Sequence, residues 1–98
     1  ELQAARLMLY DAARALDDND PERTKRSAMA KRFVTDTGFN VANEALQIHG
    51  GYGYLQDYEV ERMVRDLRVH QILEGTNEIM RVITARRLLA LADIEAIQ

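Results

Sequence analysis

Two short stretches of this chain hold residues whose types and spacing could do chemistry. The first is Gln47-Ile48-His49-Gly50-Gly51-Tyr52-Gly53-Tyr54. Two adjacent glycines leave backbone uncovered, and bare N–H groups can approach a phosphate closely. Gln47, one helical turn earlier, offers both an amide donor and an acceptor. No strand precedes these glycines, so they do not form a dinucleotide fingerprint. The second stretch is Gln71-Ile72-Leu73-Glu74-Gly75-Thr76-Asn77-Glu78-Ile79-Met80-Arg81. Glu74 stands among Ile72, Leu73 and Gly75. Apolar surroundings disfavour the charged form of a carboxylate and make it a better proton acceptor. Gly75 beside it leaves room for a substrate. Pattern alone keeps plainer alternatives open. Gly50-Gly51 also reads as a glycine helix stop, and Glu74-Gly75-Thr76 as a helix-entry turn with an exposed carboxylate.

The elements that must position these residues are helical. Leu2, Ala5, Leu9, Ala12 and Leu16 recur at spacings of three and four, which marks one face of an amphipathic helix. Asp17-Asp18-Asn19-Asp20 breaks that pattern. Asp20 before Pro21 starts the next helix, because Asp can cap free N–H groups and Pro fits the first turn. Ala30, Val34, Val41, Ala45 and Ile48 then share a stripe, and Gly50-Gly51 closes the helix. Residues 52–56 read as loop. A third helix is predicted from about Tyr58 to Leu67, with Val60, Met63, Val64 and Leu67 facing inward. Residues 69–75 form a connection. Thr76 is a natural N-cap for a last helix, with Glu78 in its first turn where an acidic group suits the dipole. Ile79, Val82, Ile83, Arg86 and Leu89 trace one face, and the tail after Ala92 is expected to fray. No period-two pattern appears. The prediction is an all-α fold, an antiparallel four-helix bundle formed by residues 1–98 as one domain.

Composition narrows the function classes. The 98 residues carry a net charge of −3, with 47% hydrophobic residues and a single proline, a globular balance. Arg23, Lys25, Arg26, Lys31 and Arg32 cluster, but Asp20, Glu22 and Asp36 flank them, so they read as a solvated helix face. Nucleic acid is not an expected partner. No apolar run approaches the roughly 20 residues that span a bilayer, and no membrane association is expected. With no cysteine, disulfides, thiol catalysis and zinc–thiolate sites are excluded within this chain, and no metal site is expected. The chain starts at Glu1, not methionine, which suggests a fragment.

Ala45-Leu46-Gln47-Ile48-His49-Gly50-Gly51-Tyr52-Gly53-Tyr54, then Arg65-Asp66, then Ile72-Leu73-Glu74-Gly75-Thr76-Asn77-Glu78-Ile79-Met80-Arg81 closely resemble the acyl-CoA dehydrogenase family in order and spacing. The resemblance runs from the first helix to Arg86. The His-Gly-Gly-Tyr-Gly-Tyr form looks closest to the isobutyryl and short/branched-chain members. It implies that residues 1–98 are the C-terminal helical domain of an FAD-dependent dehydrogenase, separated from its upstream domains and inactive alone.

By the same resemblance, Glu74 is the catalytic base. It would remove the α-proton of an acyl-CoA thioester, while the β-hydrogen leaves as hydride to FAD. Its own backbone N–H would help hold the thioester carbonyl. Gln47, Gly50 and Gly51 would contact the adenosine-diphosphate half of an FAD bound mainly to a neighbouring subunit. Thr76 and Glu78 match positions beside the flavin, and Gly75 and Arg86 match substrate-side positions. Arg86 also reads as half of a structural salt bridge, to Glu78 or to a residue across the bundle. The family further implies a homo-oligomer (a tetramer), electron-transfer flavoprotein as electron acceptor, and a bacterial cytoplasmic or mitochondrial matrix location. The competing expectation is a non-catalytic helical assembly module of the same fold.

Overall fold

A computed structural model describes the backbone of residues 1–97 and the side chains of residues 1–90. Four α-helices carry the chain: α1 (Leu2–Asp17), α2 (Arg23–His49), α3 (Val60–His70) and α4 (Asn77–Ile97). Two 3-10 turns, Gly50–Tyr54 and Gln56–Tyr58, link α2 to α3. No strand occurs among the described residues, and no described helix is long and apolar enough to cross a membrane. The all-α class and the number of helices agree with the periodicity. α4 extends to Ile97, through the tail after Ala92 that the sequence suggested would fray.

Local chemistry explains most boundaries. The Asp20 carboxylate accepts the Glu22 N–H at 2.8 Å, but this bond closes a turn ahead of the helix and does not cap it: the N-cap residue is Glu22, which makes no side-chain capping bond. The helix proper begins three residues later, at Arg23, after one tight turn. α2 ends where Gly50 takes φ +66°. α3 starts and ends later than expected and runs to His70. The Thr76 hydroxyl oxygen accepts the Ile79 N–H at 3.3 Å, so the N-cap role holds.

The helices are not arranged around a common centre. α2 is a spine of 27 residues, about 40 Å at 1.5 Å per residue, and α1, α3 and α4 each pack on it. α1 folds back antiparallel along one side, with Asp11 meeting Arg26 and Leu2 reaching Val41. α3 also runs antiparallel to α2, with Leu67 against Gly38 and Gln71 against Asp36. α4 continues in the same sense from Asp36 toward Thr24. α3 and α4 therefore follow one another along α2, and among the described residues their backbones do not approach each other. The molecule is elongated, 59 × 23 × 20 Å.

The interior is correspondingly thin. Its buried hydrophobic residues are Ala5, Ala12, Ala15, Ala28 and Ala30, and among the described residues no large side chain is fully buried. Alanine at these contacts lets helix backbones approach closely. The predicted stripes point the right way only in part. Val34, Ala45, Val60, Val64 and Leu67 are half-buried, whereas Ile48 is 86% exposed and Leu89 65% exposed. Ile48 lies out because α1 begins opposite Val41–Ala45, leaving the last turn of α2 beyond its reach.

Candidate active site

Glu74 lies in the connection between α3 and α4, and its backbone is unusual. Glu74 takes φ +56° and Gly75 takes φ +92°. Nowhere else among the described residues do two consecutive residues enter the left-handed region. For a glutamate this conformation is unfavourable by about 1–3 kcal/mol, and such strain persists only where the surroundings over-determine it. At position 75 a β-carbon would stand 2.7 Å from Cε of Met80, and its backbone would be strained besides. Glycine is the residue that fits.

The surroundings do over-determine the turn. Asn77 is buried, at 4% exposure. Its backbone N–H donates to the Gln71 carbonyl at 3.0 Å, closing the connection on itself. Its Nδ2 donates to Asp36 Oδ1 at 2.6 Å and to Thr35 Oγ1 at 2.9 Å. Its Oδ1 accepts from Lys31 Nζ at 2.7 Å. Lys31 Nζ also donates to the Gly75 carbonyl at 2.8 Å, and Gln71 Nε2 donates to Asp36 Oδ1 at 2.8 Å. One face of α2 thus grips the whole connection. Nothing in the residue pattern points to this grip. Lys31 read as part of a solvated basic face, and a lysine on α2 has no sequence relation to a turn 44 residues later.

The carboxylate itself is exposed, with Ile72 and Leu73 about half-exposed beside it. The apolar enclosure expected around Glu74 is not built by these residues. The Glu74 backbone N–H has no acceptor among the described residues, so it is available to a ligand. Thr76 caps α4 through its oxygen lone pair, which leaves its O–H hydrogen free to donate. Thr76 and Glu78 line a polar recess with Asp36, Arg68, Gln71 and Arg81. Arg86 is exposed and lies nine residues beyond Asn77, about 14 Å along α4. The salt bridge from Arg86 to Glu78 does not form. Arg81 is the arginine of α4 that reaches the site, 3.8 Å from Asp36.

Gln47, Gly50 and Gly51 sit together at the far end of α2, all exposed. A β-carbon at either glycine would meet nothing within 4 Å, so their backbone faces open space. The loop behind them is firmly seated. Gly53 is buried so tightly that a β-carbon there would lie 2.7 Å from the Leu46 carbonyl oxygen. Tyr52 meets Tyr58 edge to face at 5.8 Å, and His49 Nδ1 donates to the Ala45 carbonyl of its own helix. Arg65 and Asp66 pair locally along α3, with Glu61 and Arg62. The 11 residues of α3, roughly 16 Å, separate this loop from the Glu74 turn. One copy of the chain therefore holds the two stretches apart.

A helical domain with an exposed diglycine loop at one end of its spine and a clamped glutamate turn at the middle defines a class, and comparison with known proteins agrees with it. The family described as acyl-CoA dehydrogenase, C-terminal domain, matches residues 1–89. The chain belongs to the acyl-CoA dehydrogenase family, as part of its C-terminal domain. It is 54% identical over 88 residues to the mitochondrial isobutyryl-CoA dehydrogenase of Bos taurus, covering 90% of this chain and 21% of that protein. It is 44% identical over 89 residues to the caffeyl-CoA reductase-Etf complex subunit CarC of Acetobacterium woodii, covering 91% of this chain and 23% of that protein. The solved structure of butyryl-CoA dehydrogenase from Megasphaera elsdenii superposes with a TM-score of 0.83 at 42% identity, over 89% of this chain and 22% of that one. The chain spans about a fifth of the length of these relatives.

Proposed function

We propose that this chain supplies the catalytic base and a cofactor-contacting loop of an FAD-dependent acyl-CoA dehydrogenase. The observation that carries the reading is the Glu74-Gly75 turn, a left-handed pair in which Glu74 is strained, held by α2 and presenting both a carboxylate and an unused N–H. Glu74 removes the α-proton of an acyl-CoA thioester. Its backbone N–H donates to the thioester carbonyl and stabilises the negative charge that develops there as the proton leaves. One residue thus serves as base and as hydrogen-bond donor. Gly75 keeps the approach to the thioester clear, and Arg86 is a substrate-side position further along α4.

The residues present fit FAD at two places. The open backbone of Gly50-Gly51, with the Gln47 amide one turn away, suits a diphosphate approaching from outside. Thr76 and Glu78 at the start of α4 offer a hydroxyl donor and a carboxylate beside the base. FAD, when bound, supplies the hydride acceptor. The separation of the two places along α2 supports a role for Gln47, Gly50 and Gly51 on the cofactor of a neighbouring subunit, hence a homo-oligomer. A name such as that of the Etf-complex subunit supports an electron-transfer flavoprotein as the acceptor. Similarity to isobutyryl-CoA dehydrogenase supports a short, branched acyl group as substrate.

The test is Glu74→Gln in the full-length enzyme. It should retain flavin and slow bleaching of the flavin by acyl-CoA by about 10²–10⁴-fold, the usual contribution of a positioned base. Normal flavin reduction in that variant would show that another residue is the base. A purely structural assembly module explains the exposed apolar faces. It gives no reason to hold a glutamate in a left-handed turn.

A further inference from the structure

The polar cluster that grips the Glu74 turn is better ordered than a cap requires. Asp36 binds both ends of the connection: Gln71 at its start and Asn77 at its close donate to the same oxygen, at 2.8 and 2.6 Å. Its other oxygen faces Arg32 at 3.7 Å and Arg81 at 3.8 Å. Lys31, one and a half turns earlier on α2, binds the peptide between Gly75 and Thr76 through the Gly75 carbonyl. Asn77 joins the two. An ammonium only donates and a carboxylate only accepts, so the residue between them must accept on one side and donate on the other. A carboxamide does both, and this fixes its orientation. An aspartate there would face Asp36 with like charge, and a leucine would take one partner from Lys31 and one from Asp36.

We propose that Lys31, Asp36 and Asn77 are positioning residues for Glu74, which set where its carboxylate and N–H stand relative to the thioester. The inference rests on the reading of Glu74 as the base. It adds that the base is held from α2 by a donor–acceptor relay, and that Lys31 is the removable member. Lys31 is half-buried and reaches the turn through its ammonium alone, so its loss leaves the helices and the Asn77–Asp36 bond in place. Misplacing a reacting group by about 1 Å can slow a reaction about 10²-fold.

The experiment uses the full-length, flavin-loaded enzyme and measures flavin reduction by an acyl-CoA substrate in stopped flow. Lys31→Met should slow reduction by about 10- to 100-fold, with flavin content and the affinity for the substrate little changed. Lys31→Arg, which can donate to two acceptors, should recover most of the rate. In a Glu74→Gln background, Lys31→Met should add little further loss, because it acts through the missing carboxylate. Asn77→Asp should resemble Lys31→Met in rate if it folds. Wild-type reduction rates in Lys31→Met overturn the proposal. So does a loss that multiplies with Glu74→Gln, or one that tracks lost flavin and is not rescued by arginine. The Glu74→Gln control separates the two levels. If it alone is slow, the base reading stands and the relay fails; if it is fast, the base reading itself fails.

Discussion

Gly75 and Glu74 show how much one peptide unit carries. At Gly75 a methyl group would meet the flexible end of Met80, which can move, but the φ of +92° would remain unsuited to an L side chain. Gly75→Ala should therefore destabilise the protein by about 1–3 kcal/mol, and pairing it with Met80→Ala should not restore the loss. Chemical denaturation of both variants checks this. Recovery by the double variant would locate the cost in the contact and not in the backbone. At Glu74 the same left-handed region is occupied by a residue that would avoid it. The conformation is retained because Asn77, Lys31 and Asp36 leave the connection no other path.

At the scale of elements, the α1–α2 corner is held by ion pairs over a small alanine contact. Arg26 binds Asp11 at 2.6 Å and Glu22 at 3.0 Å, and Lys25 binds Glu22 at 2.8 Å. Hydrogen bonds from Arg26 and then Arg14 hold the Asp11 carboxyl below the usual carboxylate range. Lys25 and then Arg26 do the same for Glu22. A lowered folded-state pKa means that the stabilisation is fully present above the unfolded value. It is lost as pH falls through the lower, folded one. Hydrogen-exchange protection of α1 amides, corrected for intrinsic rate, should hold from neutral pH and decline below about pH 4. Salt should weaken it at neutral pH, because the pairs are only partly buried and stay open to screening. Arg26→Met should flatten the acid dependence; an unchanged profile would show that these pairs do not hold the corner.

At the scale of the whole molecule, the elongated shape leaves apolar surface in the open. Leu2 is 59% exposed and Leu16 55%, and the groove formed by Gly38, Val41, Ala42, Ala45, Met63 and Leu67 opens to solvent. The apolar groove, which Leu2 also lines, is the kind of surface that marks contact with other protein. Residues 1–98 expressed alone should associate, and sedimentation velocity at increasing concentration should show species above the monomer mass. A clean monomer at high concentration would mean that these faces do not associate by themselves.

The sequence by itself determined the helices, the Thr76 cap and the two chemical stretches. These depend on local signals: apolar spacing of three and four, Asp20 before Pro21, Thr76 before α4, and the glycines at 50, 51 and 75. It also carried the family, through Gln47 to Gly51 and Glu74 to Arg81. Only the tertiary structure decided how the helices are laid out, with α3 and α4 end to end along α2, because stripes state that a face is buried and not what covers it. Ile48 and Leu89 read as inward and stand exposed for that reason. The grip of Lys31 and Asp36 on the Glu74 turn was equally out of reach. It joins residues some 35 to 46 positions apart, and polar partners at that separation leave no periodicity to read.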